Sequence, residues 1–205
     1  VSLFNQGFLY GEDGKKMSKS LGNGILPGEA ASKYGVDGTR MFLVSVASPE
    51  KDFNWSDKGA ESTLKFIEKI FVHFDKLKIT KSSEKTQHKI NKAIKEITED
   101  IQSFKYNLAV IKIRSTFDSL ETEISKKDLE SFVKLLSPFC PHIAEELWEK
   151  LKNKSLISLA DWPIADEKKI NPEFDKAEQA ADKTVSDIMN ILKIVKKEPE
   201  KIYLY

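Results

Sequence analysis

Between Ala60 and Leu151 the apolar residues recur at intervals of three and four, and this repeated stripe does most to narrow the possible folds. Ser56 reads as the cap of a long helix striped by Ala60, Leu64, Ile67, Phe71, Phe74 and Leu77. A polar break, TKSSEKT, separates it from a stripe of Ile90, Ile94, Ile97, Ile101 and Phe104. Asn107 reads as the cap of the next helix, with Val110, Ile113, Phe117, Leu120 and Ile124 in phase. Ser125 and Asp128 form a capping-box pattern ahead of Leu129, Phe132, Val133 and Leu136. Pro138 and Pro141 interrupt that run. Pro141 suits a first helical turn, and HIAEELWEKL continues to Leu151. Amphipathic helices joined by short polar breaks can hide their stripes only against one another, so the expected fold is mainly α, a helical bundle.

The ends of the chain read differently. Val1–Tyr10 is a mixed apolar run expected to form a short strand or turn. Pro27 to Gly35 has a helix start and stop, and Asp37 is the expected cap of an apolar helix that ends before Pro49. SLISLADWP is expected to be extended. A last helix, roughly Glu173 to Lys196, is striped by Phe174, Ala177, Ala181, Val185, Ile188, Leu192 and Val195. After Pro199, KIYLY reads as a strand with nothing following to pair with it, which suggests a chain cut from something longer or docked on another. The expected division is residues 1–55 as a small leading module, 56–198 as the bundle and 199–205 as the start of a further strand.

Composition excludes several classes. With 40% hydrophobic and 32% charged residues in 205, the chain can bury a core and is not of the disordered type. No apolar run approaches the ~20 residues of a membrane span. Cys140 is the only cysteine, so no internal disulfide is possible and a reducing, cytoplasmic setting is compatible. The net charge of +1 provides no global field for nucleic acid, so any RNA contact must be local.

GEDGKKMSKSLGNGI, from Gly11 to Ile25, has nothing in it that looks able to bury a core. Lys15, Lys16 and Lys19 crowd together, glycines bracket them, and Ser18 and Ser20 add hydroxyls. Glycines let the backbone turn tightly and approach a ligand closely. Ammonium, hydroxyl and amide groups together can wrap an oligophosphate. A solvated surface turn is the competing reading. Other candidates have structural readings beside the functional ones. His142 with Glu145 and Glu146 lacks the second histidine of a metal helix and suits a helix first turn. Trp148 falls in the core phase, Trp55 suits a packing role where the two modules join, and Cys140 sits among apolar residues as a structural thiol. Lys85, Lys89 and Lys92 share one face, and Lys105, Lys112 and Arg114 lie near Asn107. Either group could meet RNA phosphates, or be an ordinary solvated face.

Lys16–Ser20, KMSKS, within DGKKMSKSLGN resembles the signature loop of class I aminoacyl-tRNA synthetases. YGVDGTR, with Tyr34, Gly35, Asp37 and Arg40, is similar to the segment after that loop in the leucine, isoleucine, valine and methionine group. SPEKDFNWSDKGAESTLKFIEKIF and LADWP resemble the leucyl members, as does FKYNLAVIKI at Asn107 and Ala109. LLSPFCPHIAEELWEKL resembles a block of the whole group, and the tail from Ala165 resembles the archaeal or eukaryotic leucyl type.

The resemblance implies a bundle of the anticodon-binding type, preceded by the small α/β end of a catalytic domain carrying the KMSKS loop. It implies that Lys19 is the main ligand of the ATP triphosphate, that Lys16 supports it, and that Met17 (through its backbone), Ser18 and Ser20 assist. ATP with its Mg2+ would be the substrate and leucine tRNA the partner, with no tightly bound metal. The group's other nucleotide signature, His-x-Gly-His, is absent, since the only histidines are His73, His88 and His142. The expectation is therefore a part of a leucine–tRNA ligase, inactive alone, whose further partner is the missing amino-terminal catalytic and editing part. An isoleucyl or valyl relative, or a stand-alone RNA-binding or scaffold module, are the alternatives.

Overall fold

The computed structural model describes residues 3–195 and Lys201, so the expected KIYLY strand lies outside the described residues apart from Lys201. The chain divides into two compact units, residues 1–169 and 170–205.

The first unit opens on β1 (Leu9–Tyr10), which pairs in parallel with β2 (Phe53–Asn54), Leu9 opposite Phe53. The entry to β1 is tight. Gly7 donates to the Pro49 carbonyl at 2.8 Å, and a Cβ at Gly7 would stand 2.2 Å from the Lys51 carbonyl carbon, so only glycine fits. Between the strands lie α1 (Pro27–Tyr34), started by proline as expected, and α2 (Val36–Ser45). Ala30, Tyr34, Phe42, Trp55 and Ala60 form a small core here, with the Trp55 ring meeting Phe42 edge-on at 5.0 Å.

The bundle consists of α3 (Asp57–Phe74), α4 (Glu84–Gln102), α5 (Tyr106–Asp118), α6 (Lys126–Leu136) and α7 (Pro141–Lys150). Ser56, Ser83 and Ser125 cap α3, α4 and α6 by accepting backbone N–H groups. The stripes meet in one core that includes Ile70, Ile90, Ile97, Ile113, Phe132, Leu136 and Leu147. α2 packs on α3 and α5, and so joins the leading segment to the bundle.

Several boundaries differ from the sequence reading. Asp37 is not a cap: Gly35, at φ 72°, takes that place, and the Asp37 side chain reaches α7 instead. Asn107 lies inside the first turn of α5, with Lys105 at the cap. Leu77, Phe104 and Ile124 continue the stripes in sequence but lie past the helix ends. Ile124 belongs to β4 (Glu123–Ile124), which pairs in parallel with β3 (Lys78–Ile79). Phe104 turns the chain between α4 and α5 at φ 58°. The Ser125–Asp128 box is half formed, because the Ser125 amide donates to Ser82 Oγ at 2.8 Å and not to Asp128. SLISLADWP is not extended throughout. Ile157–Leu159 make a 3-10 turn whose Ile157 amide is held by Glu145 Oε2 at 2.9 Å.

The second unit carries α8 (Pro172–Val195). None of its residues is buried, and Val185, Met189 and Ile191 are exposed.

Candidate phosphate-binding loop

The loop leaves β1 and doubles back. The Gly11 amide donates to Lys15 O at 2.8 Å, and the Met17 amide donates to Leu9 O at 3.1 Å. Gly14 (φ 72°) makes the first bend and Gly22 (φ 62°) the second. Between them Lys19–Leu21 form a 3-10 turn capped by Ser18. Contrary to the sequence reading, the loop does bury something: Met17 and Ile25 pack against the small core around Trp55. Its register is thereby fixed from beneath.

The chemical groups face outward. Lys15, Lys16, Lys19 and Ser20 are exposed and Ser18 is half-buried. The Ser18 and Ser20 hydroxyls lie 3.1 Å apart. The Lys16 ammonium sits 3.3 Å from the centroid of the Phe8 ring, a cation–π contact that parks it beside the strand. For the Lys19 ammonium no ion pair occurs among the described residues. The loop's acids are already engaged: Asp13 Oδ1 accepts the Lys15 amide at 3.0 Å, and Glu12 Oε1 accepts the Asp57 amide at 2.9 Å. What remains for a ligand is cationic and hydrogen-bond donating.

Two residues that the sequence reading missed organise this region. Asn23 accepts the Ser18 amide at 3.0 Å and donates to the carbonyls of Lys15 and Lys16, both at 3.4 Å. Glu12 caps α3 from the loop. Nearby, Asp57 is bound by Lys33 at 2.6 Å and by Trp55 Nε1 at 2.7 Å, and these partners hold its carboxyl down at about 2.

The other candidates separate. Lys105 is exposed at the start of α5. Lys112 is paired with Asp100 at 2.6 Å and Glu96 at 3.8 Å. Arg114 turns into the bundle, donating to Thr63 Oγ1 at 3.1 Å with its guanidinium 4.4 Å from the Phe66 ring centroid, and burial lowers its pKa. The three therefore do not present one basic patch. Lys92 meets Glu96 at 4.0 Å. Cys140 is buried 3.6 Å from Met41 Sδ, and burial pushes its thiol pKa up, as suits a structural residue. His142 Nδ1 pairs with Asp37 Oδ1 at 2.8 Å, and Glu145 accepts backbone amides. Trp148 is buried and donates to Ser155 O at 2.8 Å. Among the described residues no cluster of three or more His, Cys, Asp or Glu side chains could hold a metal ion, and no helix is long and apolar enough to cross a membrane. A cleft of about 440 Å³ opens between β1, α2 and Phe139, but no residue of 16–20 lines it. The loop is a surface element of this chain.

The structure is thus a bundle of capped helices joined to a lysine-bearing surface loop. Residues 84–204 match the family model described as the anticodon-binding domain of tRNA ligase, and residues 1–56 match that of class I tRNA synthetases of the I, L, M and V group. The chain belongs to the family of tRNA-ligase anticodon-binding domains. A leucine–tRNA ligase of Thermotoga maritima is 37% identical over 199 residues, covering 84% of this chain and 24% of its own length. One from Mycoplasma mycoides subsp. mycoides is 35% identical over 173 residues, covering 82% and 22%. Among solved structures, the LeuRS of Agrobacterium radiobacter K84, in a ternary complex with tRNA and LeuAMS, superposes with a TM-score of 0.73 at 29% identity, covering 83% of this chain and 25% of that one. The chain thus spans about a quarter of the relatives it matches.

Proposed function

We propose that this chain is the part of a cytoplasmic leucine–tRNA ligase that handles the ATP triphosphate and holds the tRNA. Residues 1–55 would close the catalytic domain and 56–198 would bind leucine tRNA. The observation that carries this reading is the pinned, outward-facing loop: Lys19 is exposed, it lies in sequence between two serines whose hydroxyls are 3.1 Å apart, and the loop's acids are already engaged. In leucine activation the carboxylate attacks the α-phosphate of ATP and pyrophosphate departs. Negative charge grows on the departing oxygens, and fixed cations and donors stabilise it more in the transition state than before. Lys19 supplies the principal charge. Lys16, released from Phe8, supplies a second, and Ser18, Ser20 and the Met17 backbone orient the oxygens. Mg2+ arrives with ATP, since the loop offers no uncommitted carboxylate. Of Lys105, Lys112 and Arg114, Lys105 is the exposed one, at the α4–α5 corner, and the better phosphate contact. Lys112 and Arg114 serve the bundle itself.

The test combines this chain with the remainder of a leucine ligase and measures leucine-dependent ATP–pyrophosphate exchange. Activity should appear on combination, and Lys19→Ala should lower it about 10²–10³-fold. Unchanged exchange in Lys19→Ala, or none on combination, would refute the reading. For the bundle, titration at low salt should show tighter binding to leucine tRNA than to an unrelated RNA, and equal affinities would count against specific recognition.

A further inference from the structure

Among the internal bonds of the lysine loop, one side chain makes three. Asn23 lies after the second bend, yet its amide reaches back across the loop. Oδ1 takes the Ser18 amide at 3.0 Å, while Nδ2 lies 3.4 Å from the carbonyls of Lys15 and Lys16. One planar group therefore bonds to backbone on both sides of Met17. The Ser18 hydroxyl is then placed to take the Leu21 amide at 3.3 Å and so to cap the short turn that begins at Lys19. Asn23 is half-buried, and its bond from the Ser18 amide is the sheltered one, while those to the two carbonyls are exposed. No other side chain among the described residues bridges these two arms.

We infer that Asn23 is a positioning residue for the reaction proposed above, holding the Lys16–Ser20 backbone so that the Lys19 ammonium is pre-set for the departing phosphates. This rests on the phosphate reading of the loop. Asn23 need not touch the substrate. It reduces the number of loop conformations that must be given up when charge develops, and so acts on the turnover step. Only an amide does this without introducing charge: aspartate would turn a carboxylate oxygen toward two carbonyls, and alanine would leave the Ser18 amide without its acceptor.

The test has two readouts. Amide hydrogen exchange on this chain measures the staple directly, and in Asn23→Ala the Ser18 amide should exchange at least about tenfold faster than in the parent. Pyrophosphate exchange in the combined ligase measures its consequence. Asn23→Ala should lower kcat roughly tenfold with the KM for leucine unchanged. The double variant Lys19→Ala/Asn23→Ala should be no slower than Lys19→Ala alone, because the two groups act as one unit. A normal kcat in Asn23→Ala beside a depressed Lys19→Ala overturns the inference and leaves the phosphate reading standing. Additive losses in the double variant also overturn it, since they assign Asn23 a merely structural role. A normal kcat in Lys19→Ala overturns both.

Discussion

His73 shows how a single side chain sets a condition on the fold. It lies in the last turn of α3 with its ring 5.2 Å from that of Phe117, and its Nε2 is buried without a hydrogen-bond partner. Burial first, then the charges of Lys69 and Lys76, depress its pKa, so the folded chain favours the neutral ring. The unfolded chain takes up the proton near the ordinary value of 6.5, so stability is fully present above that pH and declines as pH falls through it. Urea unfolding should therefore give a lower midpoint at about pH 5.5 than at about pH 7.5, and His73→Gln should remove part of that difference; a variant with the parent's pH slope would exclude His73 as its source. At this scale the site was partly legible. Charge and glycine spacing pick out Lys15, Lys16 and Lys19 as a cluster, and only the resemblance to the KMSKS loop singles out Lys16 and Lys19. The role of Asn23 cannot be picked out this way, because its partners are backbone groups five to eight positions earlier that meet it only after two bends at positive φ.

At the scale of elements, the helices were legible because burial of one face imposes a period, while their ends were not. Leu77, Phe104 and Ile124 keep the rhythm but fall in turns and in the two-residue pairing of β3 with β4. Periodicity reports which face is apolar and says nothing of where the backbone bonds stop. Caps supplied from a distance were likewise invisible. α7 begins with Pro141, so its amides need a partner elsewhere, and Asp37 provides it: Oδ2 accepts the Ile143 amide at 2.7 Å. The two residues are far apart in sequence, and local reading assigned Asp37 to its own helix. Asp37→Ala should cost about 1–2 kcal/mol, because a half-buried helix start loses its acceptor. That corresponds to a melting temperature roughly 2–8 °C lower. An unshifted transition would show that the cap contributes nothing.

For the whole molecule, the mainly helical architecture and its capped bundle follow from the stripes, and the family match is consistent with them. The division into units follows from burial. Every buried hydrophobic side chain among the described residues lies between Ala30 and Ile157, whereas α8 buries none. The apolar stripe of α8 was legible in the sequence, but a stripe does not name what it packs against. A chain ending at Lys169 should accordingly melt within a few degrees of the 205-residue chain, with the same cooperativity. A large loss would mean that residues 170–205 contribute to the core.

The central claim is that the Lys16–Ser20 loop offsets charge on the phosphates that leave during leucine activation. A crystal structure of the combined ligase with leucine and an ATP analogue whose α–β bridge cannot be cleaved tests it most directly. Our account predicts the Lys19 ammonium within about 4 Å of a β- or γ-phosphate oxygen. An ordered nucleotide with Lys19 pointing into bulk solvent would contradict it.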